Sequence, residues 1–104
     1  MARTPIHPGE ILADEIAELG ISATELAQKL HVPANRITQI IAGKRSITAE
    51  TALKLGKWFG TGPQIWLNLQ KMYELDVAIQ KVDLEEIIPR KITKRYLGTE
   101  KVNP

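Results

Sequence analysis

Between Ala34 and Ser46 the chain gathers side chains suited to hydrogen bonding with another molecule rather than to making or breaking bonds. Asn35 and Gln39 each carry an amide that donates and accepts at once, which matches the N6/N7 edge of adenine in a major groove. Arg36 suits guanine or phosphate, while Thr38 and Ala34 can pack on a thymine methyl. Lys44, Arg45 and Ser46 follow directly, a donor cluster suited to backbone phosphates. No carboxylate interrupts this interval, although a merely solvated helix face commonly carries some. Covalent chemistry has no comparable set. There is no cysteine, and the two histidines, His7 and His31, have no accompanying nucleophile or cluster of metal ligands. The expectation is a binding protein with no catalytic residues, no metal and no cofactor.

Such side chains read DNA when a regular element lays them in the groove, and the surrounding pattern supplies a helix. Ile37, Ile40 and Ile41 recur at helical spacing, which turns Ala34, Asn35, Thr38 and Gln39 outward with Arg36 on the flank. This helix is expected to run from about Ala34 to Ala42 and to stop at Gly43. Ser22 and Glu25 form a capping box before a second helix with Leu26, Ala27 and Leu30 inward. The tight turn Leu30-His31-Val32-Pro33 then gives the spacing of a DNA-binding helix-turn-helix. Ala27 is small enough for a close crossing, and Val32 and Ile37 would fill the angle. The position of His31 calls for a left-handed backbone, which histidine tolerates better than most residues.

The rest of the chain is also helical, with no strand alternation. A first helix starts at Pro8-Gly9-Glu10, buries Leu12, Ile16 and Leu19, and ends at Gly20; His7 is read as shaping its start. Thr48 caps a fourth helix bearing Ala52, Leu55 and Phe59 and closed by Gly60. In the fifth, Gly62 is expected as N-cap and Pro63 as first helical residue, with Trp66, Leu69, Tyr73 and Val77 along one stripe to about Gln80. This predicts an all-α, five-helix domain over residues 1–82. Asp83 to Ile88 has room for a turn or two before Pro89, and 83–104 reads as a basic, loosely ordered tail with Arg90, Lys91, Lys94 and Arg95.

The net charge of +2 in 104 residues is small, but its placement is uneven. Residues 22–48 hold Lys29, Arg36, Lys44 and Arg45 against Glu25 alone, whereas residues 1–21 hold Arg3 against Glu10, Asp14, Glu15 and Glu18. Positive charge therefore collects where phosphates would be met. No apolar run is long enough to span a membrane, and the first residues lack the apolar stretch of a signal peptide, so a cytoplasmic protein is expected.

Leu26-Ala27-Gln28-Lys29-Leu30, Ile37-Thr38-Gln39-Ile40 and Gly43-Lys44-Arg45 together resemble the Xre, or lambda-repressor-like, helix-turn-helix. His7-Pro8-Gly9-Glu10-Ile11-Leu12 before it, with Phe59-Gly60-Thr61 and Trp66-Leu67-Asn68-Leu69-Gln70 after it, is similar to the HigA/VapI antitoxins. The resemblance spans about four-fifths of the chain. It implies a homodimer bound to double-stranded operator DNA in its own promoter, and a complex with a HigB-like, mRNA-cleaving toxin. By position it assigns base reading to Asn35, Arg36, Thr38 and Gln39 and phosphate contacts to Lys44 and Arg45. Ala23 stands where many relatives place a phosphate-binding Gln, so that contact falls to backbone amides, Ser22 or Thr24. Pro33 replaces the usual Ser or Thr cap, leaving the first amides of the recognition helix free for a phosphate.

Ile65, Trp66, Leu69, Met72 and Tyr73 have two uses, packing inside the domain and a dimer interface, and the stripe is wider than one intramolecular seam requires. The acidic first helix reads as a solvated face or as a docking face for a basic toxin. Two alternatives to the antitoxin remain at this level: a stand-alone Xre-type repressor, and a protein-interaction module that has lost DNA binding.

Overall fold

The computed structural model describes residues 3–91. Five helices follow one another with short connections: α1 (Pro8–Leu19), α2 (Ala23–Leu30), α3 (Ala34–Ile41), α4 (Ala49–Phe59) and α5 (Gln64–Lys81). Among the described residues there is no strand.

Each boundary has a local cause. The Ser22 hydroxyl accepts from the Glu25 amide at 3.0 Å while the Ser22 amide donates to Glu25 Oε1 at 2.8 Å, which closes the start of α2. The same reciprocal arrangement opens α1 with an uncommon cap. His7 Nδ1 accepts from the Gly9 amide at 2.9 Å, and the His7 amide donates to Glu10. Gly20 and Gly60 end α1 and α4 in the left-handed region. His31 (φ 59°, ψ 47°) does so for α2, where the Val32 amide reaches back to the Ala27 carbonyl at 3.0 Å. The start of α5 differs from expectation. Pro63 is the flanking residue rather than the first helical one, and Gly62 precedes it with positive φ.

All five helices contribute to one core: Leu12 and Ile16, Leu26, Ala27 and Leu30, Ile37 and Ile40, Ala52 and Leu55, and Trp66. Ile47, from the loop before α4, completes it and was not foreseen. Three expected core positions sit further out: Ile41 and Phe59 are half-buried, and Leu19 is exposed at the last turn of α1. Close approach of backbones fixes the frame. A Cβ added at Gly9 would overlap the Ile40 carbonyl oxygen, so α1 crosses α3 at a point where only glycine fits.

After α5, residues 83–91 carry a single turn, with Ile87 N–H donating to Leu84 O at 3.0 Å and Glu85 N–H to Asp83 Oδ1 at 2.9 Å. Of the basic tail cluster, Arg90 and Lys91 are exposed, while Lys94 and Arg95 lie outside the described residues. No helix among the described residues is long and apolar enough to cross a membrane.

Candidate nucleic-acid interface

α2 and α3 pack against each other more extensively than any other pair of helices, across the angle filled by Ile37 and half-buried Val32. Lys54 Nζ donates to the His31 carbonyl at 3.3 Å and ties the turn to α4. With Ile37 and Ile40 buried, α3 exposes Ala34, Asn35 and Thr38, and Gln39 is half-buried beside them. The Thr38 hydroxyl donates to the Asn35 carbonyl at 3.4 Å, a weak bond on a residue that stays exposed. No side chain caps α3, so the amides behind Pro33 remain available. Ser22 and Thr24 are exposed at the start of α2, although the Ser22 oxygen already serves as cap.

Arg36 is placed differently from its neighbours. Its guanidinium lies 3.7 Å from Glu50 of α4, which also meets Lys54 at 3.7 Å. The carboxylate missing from α3 is thus supplied at its flank by another helix, and Arg36 is partly covered there.

Lys44, Arg45 and Ser46 are exposed on the loop between α3 and α4, and this loop is held on three sides. The Lys44 amide donates to the Gln39 carbonyl at 2.8 Å, and Arg45 Nε donates to Gln39 Oε1 at 2.9 Å. The buried Ile47 amide donates to Oε1 of Gln70 at 2.8 Å; Gln70 belongs to α5 and is 3% exposed. His7 closes the third side. Its ring meets Tyr73 edge-on at 4.8 Å and hydrogen-bonds the Arg45 backbone. Burial holds the imidazole below its ordinary value of 6.5, opposed by the Glu10 carboxylate and by the Arg45 backbone bond.

The sequence reading gave His7 only the start of α1 and did not single out Gln70. Nothing in a linear pattern distinguishes a buried glutamine bonded to a loop amide from an exposed one. Glu50, equally unremarked, becomes relevant only once α4 lies beside α3.

The stripe on α5 divides. Trp66, 4% exposed, packs in the core against Phe59, and Tyr73 is half-buried beside His7. Ile65 and Met72 are exposed, and Leu69 is half-buried between the two faces. The exposed line continues through Leu75, Ile79 and Val82, each more than half exposed. Ile65, Asn68, Met72, Leu75, Ile79 and Val82 fall at alternating three- and four-residue steps, the spacing of a helix–helix seam. The same spacing stands in the sequence, beside the aromatic stripe of Trp66, Leu69 and Tyr73.

A helix-turn-helix with a carboxylate-free outward helix and a braced basic loop defines a DNA-binding regulator fold. A family profile described as helix-turn-helix matches residues 12–66. Over 86 residues the chain is 49% identical to virulence-associated protein I of Dichelobacter nodosus, covering 81% of this chain and 80% of that one. An addiction module antidote protein of a HigA family from Coxiella burnetii superposes with a TM-score of 0.82 at 49% identity, over 86% of this chain and 100% of its own. The Pseudomonas aeruginosa antitoxin HigA, solved with the higBA promoter, gives a TM-score of 0.75 at 41% identity, over 83% and 98%. The chain belongs to the Xre-type helix-turn-helix family, in its HigA/VapI antitoxin branch.

Proposed function

We propose that this protein is the antitoxin of a type II toxin–antitoxin pair, and that it represses its own operon by binding operator DNA as a dimer. The observation that carries the DNA half is the outward face of α3, free of carboxylates and continuous with the braced Lys44–Arg45–Ser46 loop. Ala34, Asn35, Thr38 and Gln39 enter the major groove, with Arg36 reaching a base or phosphate once it leaves Glu50. Ser22, Thr24, Lys44 and Ser46 line the groove edge, where donors meet the strand, and Arg45 stands between them and α3. The promoter complex of the Pseudomonas aeruginosa HigA supports this reading.

One helix-turn-helix unit makes few phosphate contacts, and a dimer spaced at about 34 Å over two half-sites doubles them. The exposed line of α5 is the surface that joins two copies, with Ile65, Leu69 and Met72 continued by Leu75, Ile79 and Val82. Tyr73 borders it, and Trp66 supports it from inside. Toxin neutralisation is inferred from membership in the HigA branch and concerns a HigB-like ribonuclease.

The test has two arms. The protein is titrated onto its own upstream DNA and onto a scrambled duplex, with retention of the upstream fragment alone expected at moderate salt. The neighbouring small reading frame is then expressed with and without this chain. Growth arrest relieved by co-expression supports the antitoxin, arrest without relief overturns it, and DNA binding without any toxic neighbour marks a stand-alone repressor.

A further inference from the structure

Two arginines flank the outward face of α3, and the structure treats them differently. Arg36 is paired with Glu50 at 3.7 Å, a carboxylate it shares with Lys54. Arg45 has no ion pair among the described residues, and its Nε donates instead to the neutral Oε1 of Gln39 at 2.9 Å. Gln39 lies one turn after Asn35 and next to Thr38, so the guanidinium lies against the side of α3 that carries the reading residues. The loop brings it there by main-chain constraint, since the Lys44 amide is bonded to the Gln39 carbonyl and the next anchored amide is Ile47.

This pairing changes what Gln39 can recognise. A free glutamine reads adenine by donating from Nε2 to N7 and accepting from the N6 amino group at Oε1. Here Oε1 already accepts from a cation. An adenine amino group would have to take the second lone pair of the same oxygen, with the positively charged guanidinium beside its own donor hydrogens. Guanine offers acceptors at both N7 and O6 and meets no such conflict. Arginine has five N–H donors in a fixed fork, so with Nε committed the two terminal nitrogens remain for a bidentate contact. The glutamine fixes the guanidinium plane in advance, which lowers the ordering cost of that contact.

We propose that Arg45, held in place by Gln39, reads a guanine in each operator half-site and is a specificity-determining residue rather than a phosphate contact. This rests on the operator-binding reading above. Selection from randomised duplexes with the full-length protein defines the half-site. Affinities of wild type, Arg45→Ala and Gln39→Ala are then measured on duplexes substituted at each position, with thermal unfolding confirming that the exposed variants are folded. The expected result is one guanine per half-site whose replacement weakens wild-type binding about 10- to 100-fold. Replacement by 7-deazaguanine, which lacks the N7 acceptor, weakens wild type in the same direction. Arg45→Ala becomes indifferent to both changes, and Gln39→Ala loses part of the selectivity. Three results overturn the proposal while leaving operator binding intact: no guanine requirement in the wild type, a Gln39→Ala variant of undiminished guanine selectivity, or an Arg45→Ala variant weakened equally on every duplex with its salt slope reduced by about one. If selection yields no consensus at all, the operator-binding reading itself has failed.

Discussion

Gly9→Ala should destabilise this protein, although alanine is the better helix former. Gly9 lies in the first turn of α1, where exchange for alanine ordinarily stabilises by about 0.5–1 kcal/mol. Here the added Cβ would fall inside the Ile40 carbonyl oxygen and 2.7 Å from the carbonyl carbon. A flexible side chain could rotate away from such a contact, but a main-chain carbonyl in α3 can move only with its helix. Overpacking of a well-filled interior costs about 1–3 kcal/mol, and a backbone partner places this site at the upper end. Subtracting the helical gain leaves about 2 kcal/mol, or roughly 8–16 °C in Tm for a domain of this size. Gly20→Ala is the control: its φ of +72° makes alanine strained, yet nothing lies within 4 Å, so the cost is about 1 kcal/mol. Urea and thermal unfolding by circular dichroism give the order wild type, Gly20→Ala, Gly9→Ala. A Gly9→Ala protein as stable as wild type, or more so, would show that α1 does not touch α3 as described. Because Ile40 sits on α3, the helix proposed to read the operator, the same variant should bind operator more weakly even at temperatures where it is fully folded.

Other expectations follow from the loop, its histidine and the α5 seam. Gln70→Leu leaves the buried Ile47 amide without its acceptor and should cost about 1–3 kcal/mol; faster hydrogen exchange at Ile47 would locate the loss, and unchanged protection there would refute it. His7 is held below 6.5, so the folded state keeps the ring neutral where the unfolded chain takes up a proton. The stability this confers is present above about pH 6.5 and is lost as the pH falls below it; in urea titrations from pH 7.5 to 5, His7→Asn should flatten that slope, and an identical slope would remove His7 as its source. Ile79→Asp changes a side chain 53% exposed in the protomer, so the fold should persist while sedimentation equilibrium shifts from dimer to monomer; a dimer of undiminished affinity would place the interface elsewhere.

What could be read from the chain alone was whatever is carried by local physics. Capping at Ser22 and Thr48, the left-handed stop at His31 and the outward set Asn35, Thr38 and Gln39 depend on residues within one or two turns of each other. What escaped depends on elements distant in sequence. Gln70 meets Ile47 across 23 positions, Glu50 reaches Arg36 from another helix, and Ile47 is buried in a core to which all five helices contribute. Which of its two uses Trp66 takes within the protomer has the same origin. Helical spacing groups it with Leu69 and Tyr73, but only the packing of Phe59 and α4 decides which edge of that stripe faces inward. Pro63 fell one residue outside α5 because the preceding Gly62, at positive φ, already turns the chain.

The central claim is that α3 reads DNA sequence through its outward face. The measurement closest to it is the ratio of affinities for the selected operator and for a scrambled duplex, taken at one salt concentration for wild type and for Asn35→Ala combined with Gln39→Ala. Wild type should prefer the operator by at least about 10³-fold, and the double variant should lose about 30-fold or more of that preference while its affinity for the scrambled duplex stays the same. A double variant that keeps the full ratio would contradict the account.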